Sequence, residues 1–214
     1  MERVRWGRME NPLRGVLHGS AAVVSLIGLV TLLTLSPPER LPATALFGIA
    51  LVAMFTISAL YHSVPWSHTW KTRMQRLDHS VIFVVVASTF TPLAIAALEG
   101  PVLWIGLALV WGIAIVGIVL KFSLDQPRTG LSLGLQMAMG WSALLWLPWF
   151  WSQLGWGAVA LIGLGGACYT VGAVFFALKR PRLLPHIFGY HELFHVLVIA
   201  GAAFHFWAVA AFAT

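Results

Sequence analysis

Residues 188–212 read FGYHELFHVLVIAGAAFHFWAVAAF, and Glu192 carries the only formal charge in that stretch. A helix needs about 20 apolar residues to cross the hydrocarbon core of a bilayer, and this stretch supplies them. A membrane strand would need only about 10 residues, and the polar/apolar alternation of a half-buried strand is missing. The stretch therefore reads as a transmembrane helix. Working back towards the N-terminus, the same reading applies at 15–36, 43–64, 78–98, 101–122, 131–150 and 156–178. Turn residues punctuate these segments: Ser36-Pro37-Pro38, Pro65, Gly100-Pro101, Gln126-Pro127, Gly155 and Pro181. The segment at 131–150 is the most dilute, because Ser132, Gln136 and Ser142 interrupt it. The first segment is too long for a signal peptide, and no small-x-small cleavage site follows it. The expected architecture is an all-α membrane protein, one domain over 1–214, built as a bundle of seven transmembrane helices.

Composition agrees. Hydrophobic residues make up 59% of the chain and charged residues 9%, against about 25% charged in a soluble domain. Such a chain lacks the polar surface that water requires. The single Cys168 sits in an apolar run, excludes an intramolecular disulfide, and reads as a small core residue. Trp146, Trp149, Trp151 and Trp156 fall where an interfacial aromatic belt is expected. Gly163, Gly165 and Gly166 read as close helix packing.

The basic residues give the helices a direction. Arg3, Arg5, Arg8 and Arg14 precede the first segment, and Lys71, Arg73 and Arg76 lie between the second and third. Lys121 and Arg128 lie between the fourth and fifth, and Lys179, Arg180 and Arg182 between the sixth and seventh. Arg40 alone falls on the other side, so twelve of thirteen share one side. The positive-inside rule then expects a cytoplasmic N-terminus and an external C-terminus. The net charge of +6 is thereby a topology signal and an attraction to anionic headgroups. Because the charges are spread over short membrane-proximal segments, no nucleic-acid partner is expected.

Ionisable groups inside a membrane are costly and mark function by default. Here they are His18, His62, Asp78, His79, His191, Glu192, His195 and His205. His191 and His195, four apart on a helix, project from one face and can chelate one ion. The topology brings His62, at the cytoplasmic end of the second segment, to the same depth. Asp78, expected in the first turn of the third segment, suits a residue that holds or deprotonates a metal-held water. Ser58, one turn before His62, turns its hydroxyl the same way. Three imidazoles suit zinc and also admit iron, nickel or copper. His205 lies about 15 Å beyond His195 along the axis, too far to share the ion. His68 and His186 are expected at the interface, and His79 about 100° away from Asp78. His18 is expected to hydrogen-bond another helix. A haem between His191 and His205 finds no matching pair on another helix.

His191-Glu192-Leu193-Phe194-His195 spells the H-E-x-x-H of zinc proteases. The metzincin continuation is missing, however, and no Asp or Glu follows Glu192. Ser58-Ala59-Leu60-Tyr61-His62, Leu77-Asp78-His79-Ser80 and the H-E-x-x-H run together resemble the three signatures of the hemolysin III family. That family belongs with the progestin and adipoQ receptors and, more distantly, the alkaline ceramidases. The stretch from His195 to His205 is also similar to the last helix of adiponectin receptors. The resemblance implies zinc on His62, His191 and His195, with Asp78 reaching it through water and Ser58 nearby. It also implies that the residues between the two helix-7 histidines vary, so Glu192 need not be catalytic. One departure stands out: the family's usual Asn four residues before the first-helix His is Arg14 here.

The expected function is a zinc-dependent hydrolase of a lipid amide or ester, with Asp78 as general base and Ser58 assisting. It would take a membrane lipid as substrate or ligand, at the cytoplasmic side of a bacterial cell (inner) membrane. The rival readings are a receptor-like regulator of lipid composition or a cytolytic protein, each with a structural zinc, and an intramembrane metalloprotease. Too few polar residues remain to line a pore.

Overall fold

The computed structural model describes residues 9–123, 129–184 and 187–214. Among them every regular element is helical: α1 Pro12–Leu35, α2 Leu41–Ser63, α3 His68–Ala97, α4 Gly100–Ser123, α5 Thr129–Trp141, a 3-10 turn Ser142–Trp146, α6 Leu147–Leu178 and α7 Tyr190–Phe212. Arg3, Arg5, Arg8, Arg128, His186 and the Gln126-Pro127 break lie outside the described residues. Helices start where the sequence permits. Pro sits at the first or second position of α1, α2 and α6, where its missing N–H leaves no bond unmade.

Six stretches are long and apolar enough to cross a membrane, one fewer than expected. The difference arises between α5 and α6, where Gly130–Leu178 forms one apolar run of 49 residues. The expected segment at 131–150 is not one uniform helix. It tightens into the 3-10 turn at Ser142 and then re-enters α-geometry at Leu147. Gly155, expected as a break, adopts φ +81° and ψ 179°, a backbone conformation that glycine takes without a Cβ clash.

A second difference concerns α3. It begins at His68 rather than near Asp78, so Lys71, Arg73 and Arg76 are helical instead of looped. Apolar patterning locates the membrane-crossing part of a helix but not its polar extension, and Lys, Arg and Gln are good helix formers. Asp78 is therefore well inside the helix and not in its first turn.

α3 is buried along most of its length, whereas α1 turns most of its apolar surface outwards. Phe47, Phe83, Leu98, Val110 and Phe150 form the fully enclosed centre. Val23, Val24, Ile27, Trp104, Ile105 and Trp156 stand on the outside, where an apolar solvent suits them. Of the four tryptophans expected in a belt, Trp149, Trp151 and Trp156 are exposed. Trp146 is instead buried, 6.3 Å from the Phe90 ring centre. Cys168 is a half-buried free thiol.

α6 and α7 interlock through two glycines. The Tyr169 ring of α6 seats on Gly201 of α7, where an added Cβ would meet ring carbons at 2.7–3.0 Å. Reciprocally, His205 of α7 seats against Gly165 of α6. Close approach over small residues is how membrane helices gain packing contacts without a hydrophobic driving force. Gly163 and Gly166 do not share this role, since nothing lies within 4 Å of a Cβ added there. Gly201→Val is expected to lower the thermal midpoint in detergent by the equivalent of about 1–3 kcal/mol of overpacking. Gly163→Ala should leave that midpoint unchanged, and equal midpoints for the two variants would contradict the seat.

One end of the bundle gathers the start of α1, the end of α2 and the starts of α3 and α7. Asn11 N–H donates to the His62 carbonyl at 2.9 Å and Glu10 N–H to that of Ser63 at 3.1 Å. Lys71 pairs with Glu10 at 2.5 Å, and Arg14 with Glu192 at 2.6 Å. At the other end Arg40 reaches the Thr214 carbonyl at 3.4 Å.

Candidate metal centre

His62 is carried in the last turn of α2, buried, with Ser58 buried one turn before it. α7 begins at Tyr190, and Gly189 N–H donates to Glu192 Oε2 at 2.9 Å just ahead of it. This bond fixes the first turn and so the direction of His191 and His195. Their rings are stacked, 4° from parallel with centres 5.0 Å apart. The His62 ring stands edge-on to both, at 5.3 Å from His191 and 4.8 Å from His195. One ligand nitrogen from each residue lies within 4.8 Å of the others.

The donor set fits a metal ion on a further ground. His195 Nε2 is buried and has no hydrogen-bond partner among the described residues, while its Nδ1 lies 2.6 Å from His18 Nε2. A buried imidazole nitrogen without a partner is costly, and a bound cation removes that cost. Three imidazoles are a donor set for a first-row divalent ion.

Asp78 of α3 and Ser58 of α2 approach the triad from the side. Both are buried, and the Ser58 hydroxyl faces the Asp78 carboxylate. The triad, Asp78 and Ser58 all line one cavity of about 650 Å³. The cavity continues along the bundle past Ile82, Val86, Met137, Leu144, Phe150 and Val198, a predominantly apolar wall.

Among the described residues, the other histidines lie outside the triad. His205 bonds the Ile162 carbonyl at 3.2 Å, on a more distant part of the cavity wall. His68 is exposed. His79 also lines the cavity, and its backbone carbonyl accepts from Gln136 at 3.1 Å. His18 bonds another helix, as expected of it: it is 3% exposed and its Nε2 lies 2.6 Å from His195 Nδ1 on α7.

Two features went unread in the sequence. Glu192 has both carboxylate oxygens engaged, Oε1 by Arg14 Nε at 2.6 Å and Oε2 by Gly189 N–H. In the sequence Arg14 reads as a topology charge and as the replacement of the family's usual Asn, and neither reading pairs it with Glu192. The signal for the pair was a lone acid and a lone base at one depth in otherwise apolar helices. Ser132 and Gln136, which dilute the fifth segment, line the cavity, so the dilution itself was the signal.

Comparison with known proteins follows the same outline. The family described as Haemolysin-III related matches residues 6–206. The chain is similar to the Hemolysin-3 homolog of Bacillus subtilis (strain 168), 28% identical, over 94% of this chain and 92% of that one. It is also similar to the monocyte to macrophage differentiation factor of Homo sapiens, 26% identical, over 90% of this chain and 79% of that one. A third relative is heptahelical transmembrane protein 5 of Arabidopsis thaliana, 31% identical, over 86% of this chain and 53% of that one.

Proposed function

The chain belongs to the haemolysin-III-related family, and on that footing we propose that it is a zinc-dependent hydrolase of a lipid amide or ester. In this reading it works at the cytoplasmic side of a bacterial cell (inner) membrane and crosses that membrane seven times. A straight helix over the 49 residues of Gly130–Leu178 would run about 70 Å at 1.5 Å per residue, more than twice a bilayer core of about 30 Å. Two crossings that turn near Gly155 resolve the excess, and the plant relative is itself named heptahelical. The bias of basic residues then sets the N-terminus in the cytoplasm. A reporter fused after Thr214 is expected to be active outside the cytoplasm and inactive within it. Cytoplasmic activity at both termini would require an even number of crossings.

The observation that carries the reading is the shared cavity: three metal-competent imidazoles, a carboxylate and a hydroxyl meet at one end of an apolar chamber. Zinc with three protein ligands and an open position polarises a carbonyl and acidifies water. The protein supplies the rest. Asp78 takes the proton from the attacking water, Ser58 holds the Asp78 carboxylate or the substrate carbonyl, and the apolar wall receives the acyl chain. The test is release of fatty acid from ceramide-like and phospholipid substrates by purified protein. Turnover should stop with a chelator and return with zinc.

An intramembrane protease would need Glu192 free as a base, yet Arg14 and Gly189 occupy both its oxygens. The remaining rival is a regulator of lipid composition or a cytolytic protein with a structural ion. In its favour, the ligands tie α2 to α7, and two relatives bear the name Hemolysin-3. It forecasts metal-dependent stability without turnover on any of these lipids.

A further inference from the structure

α1 meets α7 through two polar rungs on one face. Arg14 and His18 stand one helical turn apart on α1, and Glu192 and His195 stand three apart on α7, so each pair shares a face. The outer rung is the ion pair Arg14–Glu192 at 2.6 Å, whose side chains are 11% and 12% exposed. The inner rung is His18 Nε2 to His195 Nδ1, also 2.6 Å, between residues 3% and 2% exposed. α1 turns most of its surface outwards, so these rungs are unusual in pointing inwards. Phe55 backs His18 edge-on at 5.1 Å, which leaves the His18 ring little freedom.

We infer that His18 is a positioning residue: it accepts the Nδ1–H of His195 and so holds the Nε2 lone pair of His195 towards the metal. A neutral imidazole that donates from one nitrogen presents a lone pair at the other. His195 Nε2, the nitrogen this tautomer frees, is buried and without a hydrogen-bond partner among the described residues, as is His18 Nδ1 on the accepting ring. Outer partners of this kind fix ring orientation and raise ligand basicity, and losing one costs about 10–100-fold in metal affinity. Most such partners are carboxylates, carbonyls or water; here a second imidazole takes the place. The Arg14–Glu192 rung sets the rotation of α1 that brings His18 into reach. This assignment makes Glu192 a structural member of the H-E-x-x-H run, and it rests on the metal-site reading given above.

The test compares two amides of different reach. In His18→Gln the side-chain oxygen can occupy the place of Nε2 and accept the same proton. In His18→Asn the side chain is one methylene shorter and cannot. Zinc affinity is measured on the purified full chain by competition with a chromophoric chelator, and cobalt-substituted protein gives the visible ligand-field spectrum. The expectation is that Gln stays within about threefold of wild type with an unchanged cobalt spectrum. Asn should lose about 10–100-fold with shifted bands, at equal thermal midpoints of the metal-free proteins. Equal affinity for wild type and Asn would overturn the role, as would equal losses for Gln and Asn, which would mark His18 as a direct ligand or a packing residue. Wild-type protein that takes up no divalent metal would instead overturn the underlying site reading, a result distinct from either.

Discussion

Alanine at His191 or His195 is expected to abolish zinc binding to the purified protein, and alanine at His62 to weaken it at least tenfold. The two helix-7 imidazoles are pre-stacked on one rigid face with their rings 4° from parallel, so each is half of a chelate. Removing either leaves the ion one ligand from α7 and one from α2, without a chelate ring. His62 approaches from another helix and closes the set. Its loss leaves the chelating pair intact, so the expected effect is smaller. His205→Ala, which removes a half-buried imidazole of the same chemistry far along α7 but leaves the Tyr169–Gly201 seat in place, should bind zinc as wild type does. Metal analysis after dialysis reads all four. Full occupancy in His62→Ala would put the third ligand elsewhere and sink the three-histidine model.

Asp78→Asn is expected to cut lipid hydrolysis by roughly 10²–10⁴-fold, the usual range for a positioned general base, while most of the zinc is retained. The amide keeps the shape and the hydrogen-bonding contact with Ser58 but cannot take a proton. Glu192→Gln should leave turnover on the same order as wild type. Its cost should appear in thermal stability, because Arg14 would lose its counter-charge in a poorly hydrated place. A protease reading reverses this pattern, making Glu192→Gln the inactive variant. Activity that survives both chelation and Asp78→Asn would remove zinc-assisted hydrolysis from consideration.

Hydropathy made the helices legible because each must satisfy its own backbone in lipid and therefore needs a long apolar run. The gathering of His62, His191 and His195 was legible too, since helices that alternate in direction bring those three positions to one end of the bundle. Polar extensions were not legible: α3 starts at His68 because helix propensity continues after hydrophobicity stops. Nor was the run from α5 into α6, where a 3-10 turn and a single glycine do the work of a loop. The partners of His18 and Glu192 were hidden for another reason. A lone polar residue in an apolar helix announces that it has a partner, but only the rotation of its helix says which one. Trp146 shows the same limit, since its position along the chain matched a belt and its azimuth buried it.

The paired glycine seats of α6 and α7 also set a tolerance. His205 and Tyr169 each fit one notch in the opposing helix, which fixes the sliding register of α7 as teeth fix a rack. His191 and His195 ride on the same rod. Slippage of α7 by one residue would carry both imidazoles about 1.5 Å along the axis, roughly three-quarters of a zinc–nitrogen bond of about 2.0–2.1 Å, while His62 on α2 stayed where it was. The gauge of the metal centre is thus held partly by the Tyr169–Gly201 and His205–Gly165 contacts further along α7, in which no metal ligand takes part.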